Sequence, residues 1–208
     1  MASSSRAGGA RRTTGRAACV TLAGGAIALI ALAAPRLATW LEYDRAAVAG
    51  GEIWRIPGCH LAHFGVEHAL YSVGVFLLVG AICEVAGRWQ FLLAMASASV
   101  AIPLTLFVLQ PELTSYRGLS GLDSALFALL IGSQLACADR LGGRELAMLG
   151  ALAAFAAKIT FEATTGATVF ADTGESGFEV VPLAHVIGGA CGLVVAFSLR
   201  PSPVPTPS

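Results

Sequence analysis

Arg117-Gly118-Leu119-Ser120-Gly121 leads directly into an apolar run, GLDSALFALLIGSQLACA, that continues from Gly121 to Ala138. About 18 apolar residues are enough to span a bilayer, and in lipid a backbone must satisfy its own hydrogen bonds, so this run predicts a membrane helix with a glycine-flanked serine at its head. The serine alone carries little information, because serine is a preferred helix cap and suits any loop-to-helix junction. A second stretch changes its weight. In Ala184-His185-Val186-Ile187-Gly188-Gly189-Ala190-Cys191-Gly192 an ionisable ring sits inside another apolar run, and a serine and a histidine of this kind together suggest nucleophilic chemistry.

The composition agrees with a membrane setting. The 208 residues are 56% apolar and 12% charged, too apolar for a soluble domain of this length, so the bilayer itself is a partner of the chain. Acidic and basic residues balance at 13 each, and no basic stretch is interleaved with aromatics, which argues against nucleic acid as a partner. Four of the five cysteines lie inside apolar runs, leaving Cys59 without a disulfide framework.

Six apolar segments of spanning length are expected: Ala17 to Ala34, His68 to Val85, Phe91 to Leu109, Gly121 to Ala138, Glu145 to Phe161, and Pro182 to Leu199. This predicts an all-α, six-helix membrane domain over residues 17–199, preceded by a basic tail (1–16) and followed by a short Pro-rich tail (200–208). The small residues Ala31-Leu32-Ala33-Ala34 would suit a signal peptidase. The run before them is nonetheless longer than a secretory core of about 7 to 15 residues, so a retained helix is the expectation. With the N-terminus cytoplasmic, the inner side receives Arg6, Arg11, Arg12, Arg16, Arg88, Arg140, Arg144 and Arg200. The outer side then takes Arg36, Arg45, Arg55 and Arg117 with most of the acids, including Glu42, Asp44, Glu52, Glu112, Asp172, Glu175 and Glu179. That asymmetry predicts both termini inside. The long first outer connection, Pro35 to Glu67, contains Ile53-Trp54-Arg55-Ile56-Pro57, a mixture suited to the membrane interface with Trp54 as an anchor.

In this arrangement the second, fourth and sixth segments enter from the outer side, so His68, Ser120 and His185 all lie near one surface; His185 is roughly 5 Å below Pro182. His185, Gly188, Gly189 and Gly192 form a small-residue face on segment six, and Gly121, Ala125, Ala128 and Gly132 form another on segment four. Such faces allow backbones to approach closely. Their contact would bring Ser120 to the His185 imidazole; the plainer alternative is a glycine-lined interface with a histidine satisfied by a carbonyl.

Glu52-Ile53-Trp54-Arg55, His63, His68, Gly118-Leu119-Ser120-Gly121 and Ala184-His185-x-x-Gly188-x-x-x-Gly192 together resemble the rhomboid intramembrane serine proteases over segments two to six. The six-helix frame, the Gly-Leu-Ser-Gly form and the Lys158/Glu162 pair are most similar to the rhombosortases, bacterial enzymes thought to process proteins with a C-terminal Gly-Gly sorting tail. The resemblance implies a bacterial inner-membrane endopeptidase with Ser120 as nucleophile and His185 as general base, in a dyad without an aspartate. It also implies oxyanion or substrate contacts at His68, Gly118 and the Ser120 N–H, no cofactor and no metal, and a membrane-anchored protein substrate with a transmembrane sorting tail. One departure concerns the position four residues after His68, where many rhomboids carry asparagine and this chain has the shorter Ser72.

Other roles for the same residues stay open. Cys59, His60, His63 and His68 have the wrong spacing for an H-E-x-x-H or H-x-x-E-H metal helix. Lys158 and Glu162, one turn apart, suit mutual neutralisation, a Ser–Lys dyad with Lys158 as base, or a contact to substrate termini. Asp123 could bond loop donors or Arg117, or orient the site. A catalytically inactive relative that binds transmembrane clients is the alternative function; a transporter would call for an inverted repeat, which the sequence lacks.

Overall fold

The computed structural model describes residues 17–167 and 181–199. The basic N-terminal tail, the C-terminal tail with Arg200, and the acids Asp172, Glu175 and Glu179 lie outside the described residues. The rest is nearly all helical. The chain begins with α1 (Cys19–Ala33) and α2 (Pro35–Leu41), followed by strand β1 (Tyr43–Asp44), α3 (Arg45–Ala49), α4 (Arg55–Gly58) and a 3₁₀ turn (Cys59–Leu61). The longer helices α5 (Val66–Ala86) and α6 (Arg88–Leu109) come next, then β2 (Ser115–Tyr116), α7 (Ser120–Ala136), α8 (Gly143–Thr165) and α9 (Pro182–Ser198).

Among the described residues, α5, α6 and α8 are long and apolar enough to cross a membrane, and a fourth span is reached if α1 and α2 are taken together, although they are bent by 119°. The expected six are therefore not all of spanning length. Helices α7 and α9 have 17 residues each, about 26 Å, against a hydrocarbon core of about 30 Å. The bend between α1 and α2 has a local cause. Pro35 disfavours the helical conformation at the residue before it, and Ala34 sits at φ −123°, ψ 86°. The N-terminus of α1 has no cap of its own; Glu84, buried on α5, accepts from the backbone N–H groups of Val20 (3.2 Å) and Thr21 (2.9 Å) and from the Thr21 hydroxyl (2.9 Å).

Helix α7 is the centre of the molecule, with buried residues along most of its length and α5, α6 and α9 around it. Its contact with α9 is the most extensive between any two described helices. A Cβ added to Gly188 would collide with the Gly121 carbonyl oxygen, and one added to Gly192 would collide with that of Ala125, so backbone lies against backbone along the crossing. Gly132 meets the Ala196 and Leu193 side chains, whereas Gly189 turns to the Phe155 ring of α8. Helix α8 is the outlier. Its only buried residues are Glu145 and Glu162, while Leu146, Leu149 and Phe161 are exposed.

The first connection, expected as an interfacial segment, is an ordered clamp. Arg55 donates to the Thr39 (2.7 Å) and Glu42 (2.9 Å) carbonyls and pairs with Glu52 (2.6 Å), while the Trp54 indole donates to the Trp40 carbonyl (3.3 Å) and stacks on the Trp40 ring. Trp54-Arg55 thus satisfies carbonyls left open at the C-terminal end of α2. Arg45 does the same for α6, donating to the Phe107 carbonyl (2.8 Å) and lying over the Phe107 ring.

Candidate active site

The site is built where the N-terminal ends of α5, α7 and α9 converge with the C-terminal third of α8. Its loop is fixed from below. Strands β1 and β2 pair antiparallel with Tyr43 opposite Tyr116, Arg117 pairs with Glu42 at 2.6 Å, and the Gly118 N–H donates to the Cys59 carbonyl. Fully buried His60 lies within 3.4 Å of the Gly118 carbonyl through Nδ1 and 3.3 Å of the Ser99 carbonyl through Nε2. Burial pushes the His60 pKa down to about 4, so at neutral pH the ring is uncharged. Gly118 has φ +126°, a backbone conformation that favours glycine, and a Cβ there would reach the His68 ring at 2.9 Å. The loop can therefore turn under His68 only with glycine at this position. His63 packs edge-on against His68, their ring centroids 5.4 Å apart.

Ser120 is the first residue of α7, and Leu119 occupies the cap position with no side-chain bond. Among the described contacts the Ser120 hydroxyl makes no cap bond to the backbone. Ser120 Oγ lies 3.2 Å from His185 Nε2. The first intrahelical bond here runs from Asp123 N–H to the Leu119 carbonyl, so the N–H of Ser120 is one of the donors a helix start leaves open. An anion formed beside it would also face the positive end of the α7 dipole.

The remaining candidate residues distribute as follows. Ser72 faces the same cleft, but its single proton goes to Asp123 Oδ2 at 2.8 Å. Asp123 is thus bonded to α5 and not to Arg117, and its Oδ1 is buried with no hydrogen-bond partner among the described residues. Lys158 Nζ lies 2.7 and 2.8 Å from the two carboxylate oxygens of Glu162. The sequence did not foretell what Glu162 does next: its Oε2 lies 3.1 Å from His185 Nδ1. The only signal in the sequence was a glutamate inside an apolar segment, and Lys158 one turn away accounted for it. Cys59, the thiol nearest the site loop, is buried and lies 3.2 Å from the Ile56 carbonyl. Among the described residues no group of three His, Cys, Asp or Glu side chains is placed to hold a metal.

A cleft of about 680 Å³ opens over these groups, lined by Ser120, His185, Asp123 and Ser124 together with Tyr71 of α5 and Phe155 of α8.

The Rhomboid domain family matches residues 50–202, most of the chain and all of the site. The chain belongs to the rhomboid family. This rhomboid protein is also 30% identical over 115 residues to a Bacillus subtilis (strain 168) protein named "Putative rhomboid protease YdcA". That alignment covers 55% of this chain and 58% of the relative, so it spans less than two thirds of the relative's length. Family and apolar helices together make this a membrane protein, and the family suggests an intramembrane protease.

Proposed function

We propose that this rhomboid protein is an intramembrane serine endopeptidase in which Ser120 is the nucleophile and His185 the general base. The observation that carries the proposal is the 3.2 Å contact between Ser120 Oγ and His185 Nε2, both of which line one cleft. In acylation the Ser120 Oγ–H bond breaks, its proton passes to Nε2, and the oxygen bonds the scissile carbonyl carbon. The same proton then goes to the leaving amine, and a water, deprotonated by Nε2, resolves the acyl-enzyme. The Ser120 N–H and the His68 ring over Gly118 are the donors proposed for the oxyanion, a term worth about 3–4 kcal/mol per donor in related chemistry. Ser72 would join them only by releasing Asp123.

The finer proposal is a rhombosortase-like substrate: a membrane-anchored protein with a C-terminal Gly-rich sorting tail. It is supported by the Gly-Leu-Ser-Gly form around Ser120 and by the Lys158/Glu162 pair on α8. With it goes a six-helix arrangement in a bacterial inner membrane, α7 and α9 being short spans and both termini cytoplasmic. Co-expression with a reporter carrying a Gly-Gly motif, a transmembrane helix and a basic end tests both levels. Wild type should shorten the reporter, and Ser120→Ala and His185→Ala should each leave it intact while inserting normally. Cleavage that survives either substitution removes the dyad. Cleavage of tailless membrane proteins at the same rate removes the sorting-tail specificity.

A further inference from the structure

A catalytic imidazole must do two things that its own helix does not secure. It must keep Nε2 unprotonated in the resting state so that it can accept the serine proton, and it must hold its ring plane toward that serine. A neutral imidazole carries one proton, and the acceptor at the other nitrogen decides where that proton resides. In this protein the acceptor at Nδ1 is Glu162 Oε2, 3.1 Å away, reaching from α8 to α9.

The placement of Glu162 is hard to explain by packing alone. Helix α8 leaves Leu146, Leu149 and Phe161 exposed, and the glutamates Glu162 and Glu145 are the residues it buries; Glu162 is 2% exposed. A buried carboxylate is costly unless it is paired. Lys158 supplies that pairing at 2.7 and 2.8 Å, one turn back on the same helix. Mutual neutralisation of Lys158 and Glu162 would be complete in any rotation of α8, including one facing away from α9. The helix instead faces the pair to His185, and Phe155, one turn before Lys158, packs on Gly189 of α9 and on Phe127 of α7, which fixes the spacing.

We propose that Glu162 is a positioning residue for His185, so that the site operates as a Ser120–His185–Glu162 triad with Lys158 holding the carboxylate in place. The inference rests on the protease reading above and replaces the two-residue dyad expected from the sequence. Glu162 touches no reacting atom. When Ser120 gives its proton to Nε2, the Nδ1 proton stays on the ring and its hydrogen bond to Oε2 strengthens against the imidazolium; no second proton moves. Lys158 is thereby assigned to Glu162 and not to Ser120 as a base.

The test uses the full-length protein in detergent with a fluorophosphonate probe, following adduct formation at Ser120. Wild type should label and Ser120→Ala should not; an unlabelled wild type would refute the protease reading itself and this inference with it. Glu162→Gln should lower the maximal labelling rate by about 10²-fold or more, in the range found when the carboxylate of a serine-histidine triad is removed, while the probe concentration for half-maximal rate changes little. Glu162→Asp should restore part of the rate. Glu162→Gln combined with Lys158→Met also removes the lysine charge that the single variant leaves beside a neutral amide, and it should be as slow as Glu162→Gln. In wild type labelled with ¹⁵N-histidine, the His185 Nδ1 proton should give a strongly downfield resonance that both Glu162→Gln variants lose. Wild-type labelling rates in the folded double variant would overturn the proposal. So would a rate loss that leaves the resonance in place or that Glu162→Asp does not relieve, because either would mean Glu162 is only structural.

Discussion

Ser120 makes no side-chain cap bond because Leu119 occupies the cap position of α7, and its hydroxyl lies 3.2 Å from His185 Nε2. The residues around it act mostly through the backbone they hold. His60 is the clearest case: its neutral ring has one N–H for two carbonyls, those of Gly118 and Ser99, and burial keeps it neutral down to about pH 4. An unfolded chain would protonate the same ring below its ordinary pKa of 6.5. The unfolded state therefore binds more protons between about pH 6.5 and 4, and stability should fall as pH drops through that window. His60→Gln, which keeps a side-chain amide as donor, should flatten this dependence by on the order of 1–3 kcal/mol, measured as thermal stability in detergent against pH. An unchanged slope would mean that His60 is not the group responsible. At this scale the sequence showed Ser120, His185 and His68 as candidates because each is a polar residue near the start of an apolar run. It could not show that Ser72 donates to Asp123 or that Glu162 reaches His185, since both contacts join residues of different helices; Asp123 had no assigned partner, and Lys158 offered Glu162 a local one.

The geometry between elements depends on small residues where α7 crosses α9. The glycine and alanine faces were legible in the sequence because helical spacing alone lines them up, and Gly188 on Gly121 and Gly192 on Ala125 are the contacts they make. Gly189 was misassigned to that face; it packs on α8 instead. A methyl at Gly188 has nowhere to go but into the Gly121 carbonyl, one residue from the nucleophile. Gly188→Ala should therefore cost about 1–3 kcal/mol from overpacking, and a displacement of about 1 Å between Ser120 and His185 could cost a further ~10²-fold in rate. Gly74→Ala on α5, where an added methyl meets no neighbour, is the control and should leave both stability and labelling near wild type. Equal behaviour of the two variants would show that the α7–α9 crossing does not set the site. The lengths of the elements were less legible. Hydropathy marks apolar runs but not where a helix stops, so α7 ends at Ala136 and α9 at Ser198, short of the expected Ala138 and Leu199, while α5 and α8 extend past their expected ends into Val66 and Thr165.

For the molecule as a whole, the membrane fold was announced by composition and by the apolar runs, and the organisation of residues 35–65 was not. Its helices are only a few residues long and persist because Trp54, Arg55 and Arg45 satisfy carbonyls at the ends of α2 and α6. Such bonds join positions that are distant in sequence and leave no periodic trace. Their effect reaches the site, since β1 pairs with β2, Glu42 holds Arg117, and Cys59 and His60 hold Gly118. This loop shelf on one side and α8 on the other border the cleft that Ser120 and His185 line. The most direct measurement of the proposed chemistry at Ser120 is mass spectrometry of the Ser120 peptide after fluorophosphonate treatment of wild type and His185→Ala. The account predicts an adduct on Ser120 in wild type, formed about 10³-fold or more slowly without the imidazole. It is contradicted by a wild-type Ser120 that stays unmodified, or by one that reacts as fast when His185 is gone.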